Sequence, residues 1–235
     1  LSNDFVQAAV AKARVVIAEV NDQVTYTYCD AMLPASKITC AVHVSRTPVE
    51  VKAAPLGETD QAIAKFAAAY IEDGAVLQVG IGAVPDAILR LLLDRKDLGV
   101  HSGMIGDGLV DLVEAGVITN AKKPIDQGIS ITGTLIGSSR LFKFANRNKQ
   151  IGLRRHAYTH NEAVMTQLPK LVTINSALEV DLTGQVNAEQ SGAQYMGGTG
   201  GQIDYVRAGS RAPGGHSIIA LPATAKGGKL SRIAA

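Results

Sequence analysis

The 235-residue sequence has few aromatic side chains and little net charge. Aromatic residues make up 4% of the chain, tryptophan is absent, and the formal net charge is +2. Proteins that bind nucleic acids stack bases on aromatic rings or present a strongly basic surface. Scarce rings and a charge near neutrality therefore argue against nucleic acid as the main partner.

Cysteine is also scarce, and long apolar runs are missing. Cys29 and Cys40 match no metal-ligand spacing, so we interpret them as reduced thiols of a cytoplasmic protein. No apolar run reaches the ~18 residues that a membrane span requires, and no signal peptide precedes the first domain. We expect a cytoplasmic protein with no membrane partner. The chain begins at Leu1 rather than Met, which favours a piece of a longer protein.

Hydrophobic residues are plentiful, at 46% of the chain, and their spacing alternates between helix and strand patterns. The patterns predict strands over residues 75–80, 98–102, 130–138, 170–181 and 216–224. They predict helices over 61–74, 85–97 and 108–118, with Thr59 and Asp60 capping the first of these. Such alternation indicates an α/β fold with a mainly parallel sheet and flanking helices. Pro48, Pro55 and Gly57 interrupt regular structure, which makes residues 52–60 a predicted linker.

The stretch "VGIGAVPDA" is the first of two glycine-rich turns. It places Gly80 and Gly82 between a predicted strand and a predicted helix, where backbone amides suit an anion or a polarised carbonyl oxygen. An ordinary tight turn is the alternative interpretation. The stretch lacks the third glycine and the acidic ribose partner of a dinucleotide fingerprint, which argues against an NAD-dependent oxidoreductase.

The stretch "YMGGTGGQIDY" is the second glycine-rich segment. Its four glycines exclude a regular helix or strand there, because each costs roughly 1 kcal/mol relative to alanine. We interpret it as backbone that approaches a ligand closely, with a flexible loop tip as the alternative. The following "QIDYV" is predicted to be an ordered apolar segment.

The loop "GVHSGMIGDG" has the composition of an active-site loop, since polar side chains stand beside flexible glycines. His101 and Asp107 are its candidate acid–base residues. The five histidines of the chain show no metal-ligand spacing, so no metal site is predicted.

Five motifs occur in one order along the chain: "LQVGIGAVPDAIL", "GVHSGMIGDGLVDLVEAGVITN", "INSALEVDLTGQVNAE", "GGTGGQIDYVRAG" and "SIIALPATAKGGKLSRI". Together they resemble the acetyl-CoA hydrolase/transferase family, the family I CoA-transferases that include 4-hydroxybutyrate and butyrate CoA-transferases. The resemblance runs from about Ala13 to Ile233. It implies the end of a first α/β domain over residues 1–51, a linker over 52–60, and a second domain over 61–235 that is truncated at its C-terminal end.

The resemblance also implies a reaction on short-chain acyl-CoA thioesters. A glutamate carboxylate attacks the thioester, the freed CoA thiolate attacks the resulting anhydride, and a second carboxylic acid reverses the sequence. Carboxylic acids and CoA are then substrates, no cofactor is permanently bound, and a homo-oligomer is expected.

Each step of that reaction places negative charge on a former carbonyl oxygen, which backbone N–H donors stabilise. The resemblance assigns this oxyanion hole to the amides of Ile81 and Gly201. It places Gly198, Gly200 and Gln202 along the acyl or pantetheine pocket. The other residues that it implies at the substrate or CoA site are Gly80, Gly82, Gly103, Thr199 and His160.

This chain departs from the family at the nucleophile. Where the family has His-Ser-Glu-Met, the chain has His101-Ser102-Gly103-Met104. Glycine cannot carry an anhydride or a thioester, so the covalent route is predicted to be closed. A smaller departure is Thr159-His160-Asn161-Glu162 in place of Asn-His-Pro-Glu, which puts a CoA contact in doubt.

Three functions stay open for a chain without this carboxylate. CoA is transferred by direct attack of the acceptor carboxylate, or with an acid from another chain. Alternatively, water hydrolyses the thioester with His101 or Asp107 as the base. In the third alternative, the chain binds CoA or assists assembly without catalysis.

Overall fold

The computed structural model describes residues 1–53, 55–198 and 200–234. Its helices are α1 (Val6–Lys12), α2 (Glu58–Ala68), α3 (Ala83–Arg90), α4 (Gly108–Glu114), α5 (Ser139–Ala145), α6 (His156–Thr159), α7 (Glu162–Met165) and α8 (Gln202–Arg211), with a 3₁₀ turn at Ala35–Lys37. Its strands are β1 (Ile17–Asn21), β2 (Tyr28–Cys29), β3 (Cys40–Val44), β4 (Val76–Val79), β5 (Gly99–Val100), β6 (Met104–Ile105), β7 (Ser130–Thr132), β8 (Thr134–Leu135), β9 (Ile151–Leu153), β10 (Leu171–Asn175), β11 (Glu179–Asp181), β12 (Val186–Asn187), β13 (Gln190–Ser191), β14 (Gln194–Tyr195), β15 (His216–Ile219), β16 (Thr224–Ala225), β17 (Leu230–Ser231) and β18 (Ile233–Ala234). None of the helices in the described ranges has the length and hydropathy that crossing a bilayer demands.

A four-stranded parallel sheet, in the order β15-β10-β4-β5, lies at the centre of the fold. Every residue of β4 is buried. Leu77 and Val79 belong to the larger core with α2 and α3, whereas Val76 packs with Met165 and Leu168 in a second cluster. Because alternate side chains of a strand point to opposite faces, both faces of this sheet are covered.

Helix α2 packs on α3 through small side chains. Ala64, Ala67 and Ala68 are its buried residues, and such short side chains allow the two helices to approach closely. The helix begins at Glu58, because the Gly57 amide donates to Asp60 Oδ2 at 2.9 Å. It ends at Ala68, not at residue 74 as predicted. Beyond it the chain turns to bury Ile71.

Two predicted strands are each divided in the structure. The segment 130–138 breaks at Gly133 into β7, which pairs with β9, and β8, which pairs with β6. A Cβ on Gly133 would lie 2.8 Å from the Gly103 carbonyl oxygen, so glycine permits this close approach. The segment 170–181 likewise divides into β10 of the central sheet and β11 of a separate sheet.

The predicted fold class is confirmed, because the model is mixed α/β with mainly parallel sheets and flanking helices. Antiparallel pairing within the described residues is confined to β11–β12, β13–β14 and β16–β17, apart from an isolated bridge between Ser2 and Thr134. Strand β2 pairs in parallel with β9, so the N-terminal segment shares a sheet with the later part of the chain. The division into residues 1–51, 52–60 and 61–235 stays a prediction.

Candidate active site

The carboxyl ends of three neighbouring parallel strands meet at one edge of the central sheet. The 80–82 turn follows β4, the loop containing Gly103 follows β5, and Ser176 follows β10. Ligands of open α/β sheets bind outside the carboxyl ends of the strands. A cavity of about 360 Å³, hereafter the Gly103 cavity, opens there against the N-terminus of α8. Its lining comprises Gln78, Gly80, Ser102, Gly103, Met104, His160, Asn175, Ser176, Ala188, Gly200, Gly201, Gln202 and Tyr205.

The structure brings most of the sequence-predicted site residues to this cavity. Those that line it are Gly80, Gly103, His160, Gly200, Gly201 and Gln202. Ile81 and Gly82 line two adjoining cavities beside the same turn. Gly198 is not part of the lining, and Thr199 lies outside the described residues.

The backbone amides of Ile81 and Gly201 donate to no acceptor among the described residues. Ile81 precedes Gly82, the N-cap of α3, whose φ of 118° is readily accessible only to glycine. Gly201 is the N-cap of α8. Unpaired N–H groups and the helix dipole favour negative charge at both positions. These amides are therefore available for an oxyanion, although their use for one stays a prediction.

The imidazole of His160 fills the space beside Gly103. A Cβ built on Gly103 would lie 2.9 Å from His160 Cε1 and 3.1 Å from the Tyr205 hydroxyl oxygen. A Cβ on Gly201 would overlap His160 Nε2 outright. His160 thus lies between the two glycines, and a larger residue at either position would require the imidazole to move.

His160 is held as a neutral imidazole. Its Nδ1 lies 2.9 Å from Thr159 Oγ1, and Thr159 is fully buried. Burial, aided by the neighbouring His156, lowers the pKa of His160 to about 4. With Nδ1 engaged by the threonine hydroxyl, Nε2 lies next to Gly103 and Gly201.

The two candidate bases from the sequence do not line the Gly103 cavity. His101 is 0% exposed, and its Nε2 lies 3.2 Å from the Thr159 carbonyl oxygen, to which it donates. Burial lowers the pKa of His101 to about 4. The Asp107 carboxylate accepts hydrogen bonds from Ser138 N at 2.8 Å, Ser138 Oγ at 2.7 Å and Leu141 N at 3.2 Å. Both side chains therefore hold neighbouring segments together. Asp107 also lines one of the adjoining cavities, with Ile81 and Gly82, so a role for it as a base stays a prediction.

Four polar residues of the lining were not predicted from the sequence: Gln78, Asn175, Ser176 and Tyr205. Gln78 is 4% exposed, and its amide oxygen accepts from Asn175 Nδ2 at 3.1 Å across β4 and β10. The available signal was a glutamine within the apolar run "AVLQVG". Tyr205 lies on α8, one helical turn beyond Gly201, and its buried hydroxyl has no described hydrogen-bond partner. Burial raises the pKa of Tyr205 far above its ordinary value, so it is a neutral phenol.

A cluster of potential metal ligands lies beside the cavity. Asp4, His156 and His160 each bring one ligand atom within 4.8 Å of the other two. The sequence analysis overlooked that His156 and His160 are four residues apart, a spacing that places side chains on one face of a helix.

Comparison with known proteins finds relatives that act on CoA esters, as their names state. Residues 137–235 match the family model described as the acetyl-CoA hydrolase/transferase C-terminal domain. The 4-hydroxybutyrate coenzyme A transferase of Clostridium kluyveri is 42% identical over 233 residues, covering 99% of this chain and 54% of that protein. The butyryl-CoA:acetate CoA-transferase of Anaerostipes caccae is 34% identical over 95% of this chain and 51% of its own length.

Two solved structures have the same fold as this chain over nearly its whole length. The 4-hydroxybutyrate CoA-transferase of Porphyromonas gingivalis superposes with a TM-score of 0.89 at 37% identity, over 100% of this chain and 56% of that one. RipA from Yersinia pestis gives 0.90 at 33% identity, over 99% of this chain and 52% of its own. The chain thus spans about half the length of these relatives. It belongs to the acetyl-CoA hydrolase/transferase family.

Proposed function

We propose that the Gly103 cavity binds short-chain acyl-CoA thioesters and that the protein transfers CoA between carboxylic acids of the acetate and butyrate type. The observation that carries the proposal is the meeting of Gly80, Gly103 and the N-terminus of α8 around one cavity, with Ile81 and Gly82 in the two adjoining cavities. The relatives from Clostridium kluyveri, Anaerostipes caccae and Porphyromonas gingivalis are CoA-transferases, which supports the same substrate class. CoA is then a substrate, with no cofactor permanently bound.

The thioester oxygen is proposed to face the amides of Ile81 and Gly201. Both amides lack a described acceptor, and both lie at helix N-termini. An oxyanion-hole donor contributes ~3–4 kcal/mol to the transition state when its position is fixed. The mutual packing of Gly201, His160 and Gly103 supports such a fixed geometry.

Transfer without a glutamate proceeds by direct attack of the acceptor carboxylate. The carboxylate oxygen bonds to the thioester carbon, and CoA leaves as the thiolate, giving a mixed anhydride. The thiolate then attacks the acceptor's carbonyl carbon, giving the new CoA ester and the donor acid. Both acids occupy the site at once, so kinetics are sequential and no covalent enzyme intermediate forms.

Hydrolysis of acyl-CoA is the second candidate, and the position of His160 favours it. Its neutral imidazole stands where a side chain at position 103 would lie and borders the cavity. A water molecule placed there would attack the thioester carbon in place of the carboxylate. His160, rather than His101 or Asp107, is then the residue beside the reacting carbon.

The test incubates the chain with butyryl-CoA and isotopically labelled acetate. Transfer gives labelled acetyl-CoA, whereas hydrolysis gives free CoA without need of acetate. Borohydride treatment should trap no glutamyl adduct in either case, and a trapped adduct would contradict the closed covalent route. If CoA raises the melting temperature while neither product forms, binding without catalysis remains.

A matched pair of variants localises the site. Gly201→Ala places a methyl group against His160 Nε2, so we expect a loss of the CoA-induced rise in melting temperature and of any turnover. Ser210→Ala, on the exposed end of the same helix, should leave both unchanged. Equal behaviour of the two folded variants would contradict the assignment.

We further propose that the protein is cytoplasmic and forms a homo-oligomer, as the family resemblance implies. Light scattering of the purified chain measures the oligomeric state directly.

A further inference from the structure

Asp4 and His156 form a half-buried contact beside the Gly103 cavity. Asp4 Oδ1 and His156 Nδ1 lie 3.5 Å apart. Both atoms are shielded from solvent, and neither has a hydrogen-bond partner in the described part of the chain. A buried polar atom without a partner costs about 1–3 kcal/mol, and native proteins rarely leave such atoms unsatisfied.

His160 completes the cluster. Its ring stacks on that of His156, with centroids 3.9 Å apart and an interplanar angle of 35°. One ligand atom from each of Asp4, His156 and His160 lies within 4.8 Å of the other two. Two imidazoles and a carboxylate therefore lie close together, from segments more than 150 residues apart in the chain.

The local backbone holds these side chains in place. His156 is the first residue of α6, and His160 is its C-cap, so both project from one short turn of helix. The His156 amide donates to the Asp4 carbonyl oxygen at 3.0 Å, which fixes the N-terminal segment against this turn. The arrangement is built by the fold and does not depend on long flexible side chains.

One of the three separations matches a tetrahedral metal ion, and the other two are at most 4.8 Å. Zn²⁺ binds imidazole nitrogen and carboxylate oxygen at ~2.1 Å, which puts neighbouring ligand atoms about 3.4 Å apart. The Asp4–His156 separation of 3.5 Å already meets this value. Imidazoles favour Zn²⁺ and other transition metals over Mg²⁺ or Ca²⁺, which prefer all-oxygen sites.

We propose that Asp4, His156 and His160 bind one divalent transition-metal ion, of which Zn²⁺ is the representative. Three protein ligands leave a fourth position open for water, as in catalytic rather than structural zinc sites. His160 also lines the Gly103 cavity, so the ion is at the edge of the candidate active site. The inference rests on these contacts alone and is independent of the proposed function.

The test measures Zn²⁺ bound to the 235-residue chain by equilibrium dialysis. All proteins carry Cys29→Ser and Cys40→Ser, because both thiols are free and bind the same metals. Asp4→Asn and His156→Gln each remove one ligand. His43→Gln, at an exposed histidine of β3, is the matched control. Thermal melts of the metal-free proteins verify folding.

We expect one Zn²⁺ per chain in the reference protein and in His43→Gln. Affinity should fall at least tenfold in Asp4→Asn and in His156→Gln, since loss of even an outer partner of a ligand costs about 10–100-fold. If the reference protein bound less than one Zn²⁺ per chain, or if all variants bound Zn²⁺ with equal affinity, the proposed site would be wrong.

A second measurement protects the test against a variant that fails to fold. Histidine ring signals of the reference protein are followed by NMR during Zn²⁺ addition. The signals of His156 and His160 should shift together at one equivalent while that of His43 stays unchanged. A shift of His43 alone, or of none, contradicts the proposal.

Discussion

At the scale of single residues, the identity of position 103 is coupled to two neighbours. His160 Cε1 and the Tyr205 hydroxyl both lie within 3.1 Å of the place where a Cβ at position 103 would stand. A side chain at position 103 would therefore contact the imidazole at once, although the cavity beyond Gly103 remains open.

This coupling predicts the outcome of restoring the glutamate. Gly103→Glu alone should lower stability by roughly 1–3 kcal/mol, because the new Cβ overpacks against His160. Adding His160→Ala should recover much of this loss and yield a borohydride-trappable glutamyl-CoA adduct, seen by mass spectrometry. A folded double variant that forms no adduct would show that more than the nucleophile has been lost.

Replacement by phenylalanine should affect stability differently at Tyr205 and at Tyr158. Tyr205→Phe removes a buried hydroxyl without a described partner, so stability should be unchanged or slightly higher. Tyr158→Phe removes a donor that lies 2.6 Å from Asp126 Oδ2, and it should cost about 1–3 kcal/mol. Urea unfolding of both variants measures this, and an equal loss in the two would contradict the assignment.

At the scale of elements, side chains join β5 to β7 where little backbone pairing exists. Lys123 Nζ donates to the carbonyl oxygens of Val100 at 3.1 Å and Ile129 at 2.7 Å. Asn120 Oδ1 accepts from the Val100 amide at 2.8 Å. Because β5 leads directly into the Gly103 loop, these hydrogen bonds help to hold the start of that loop in place.

Lys123 predicts a pH dependence of stability. Burial lowers its pKa to about 8, whereas the unfolded chain keeps the ordinary value of 10.5. Between these values the unfolded state binds more protons, so the free energy of unfolding should rise as the pH increases from 8 towards 10.5. Urea unfolding at pH 8 and pH 9.5 measures the change, and Lys123→Met should lack this rise. If the free energy of unfolding changed equally with pH in both proteins, the pH dependence could not be assigned to Lys123.

At the scale of the whole molecule, the sheet of β1 and β3 stands apart from the rest. Its two strands pair in parallel, yet Ile17, Val20 and Val42 are 70%, 43% and 48% exposed. Parallel strands are normally covered on both faces, and two-stranded sheets are seldom stable alone. This surface is therefore open to a covering partner. The family resemblance implies that residues 1–51 are only the end of a first α/β domain, so the cover is either the rest of that domain or, in the 235-residue chain alone, another copy.

The 235-residue chain should consequently self-associate through this sheet. Ile17 and Val42 share one face in the observed register, so Ile17→Lys with Val42→Lys should lower the mass measured by light scattering. Leu182→Lys, at an equally exposed leucine elsewhere, is the control and should have no effect. An unchanged mass in the first variant would exclude this surface as the contact.

The sequence by itself determined the class of fold and the position of the glycine turns. Apolar spacing and glycine punctuation are local properties, so β4, the 80–82 turn and the start of α3 could be predicted from adjacent residues, whereas α3 ends at Arg90 and not at residue 97 as predicted. The family resemblance and its departure at Gly103 were equally readable from the chain. The breaks at Gly133 and at residue 68 were not, because each depends on what packs against it.

The tertiary structure alone decided which side chains meet. Only packing places His160 against both Gly103 and Gly201, removes His101 and Asp107 from the cavity, and brings Asp4 to His156. Periodicity reports which face of an element is apolar, but it carries no information about contacts between segments far apart in the chain. Those contacts are set by the close packing of the whole core, and the chemistry of the site follows from them.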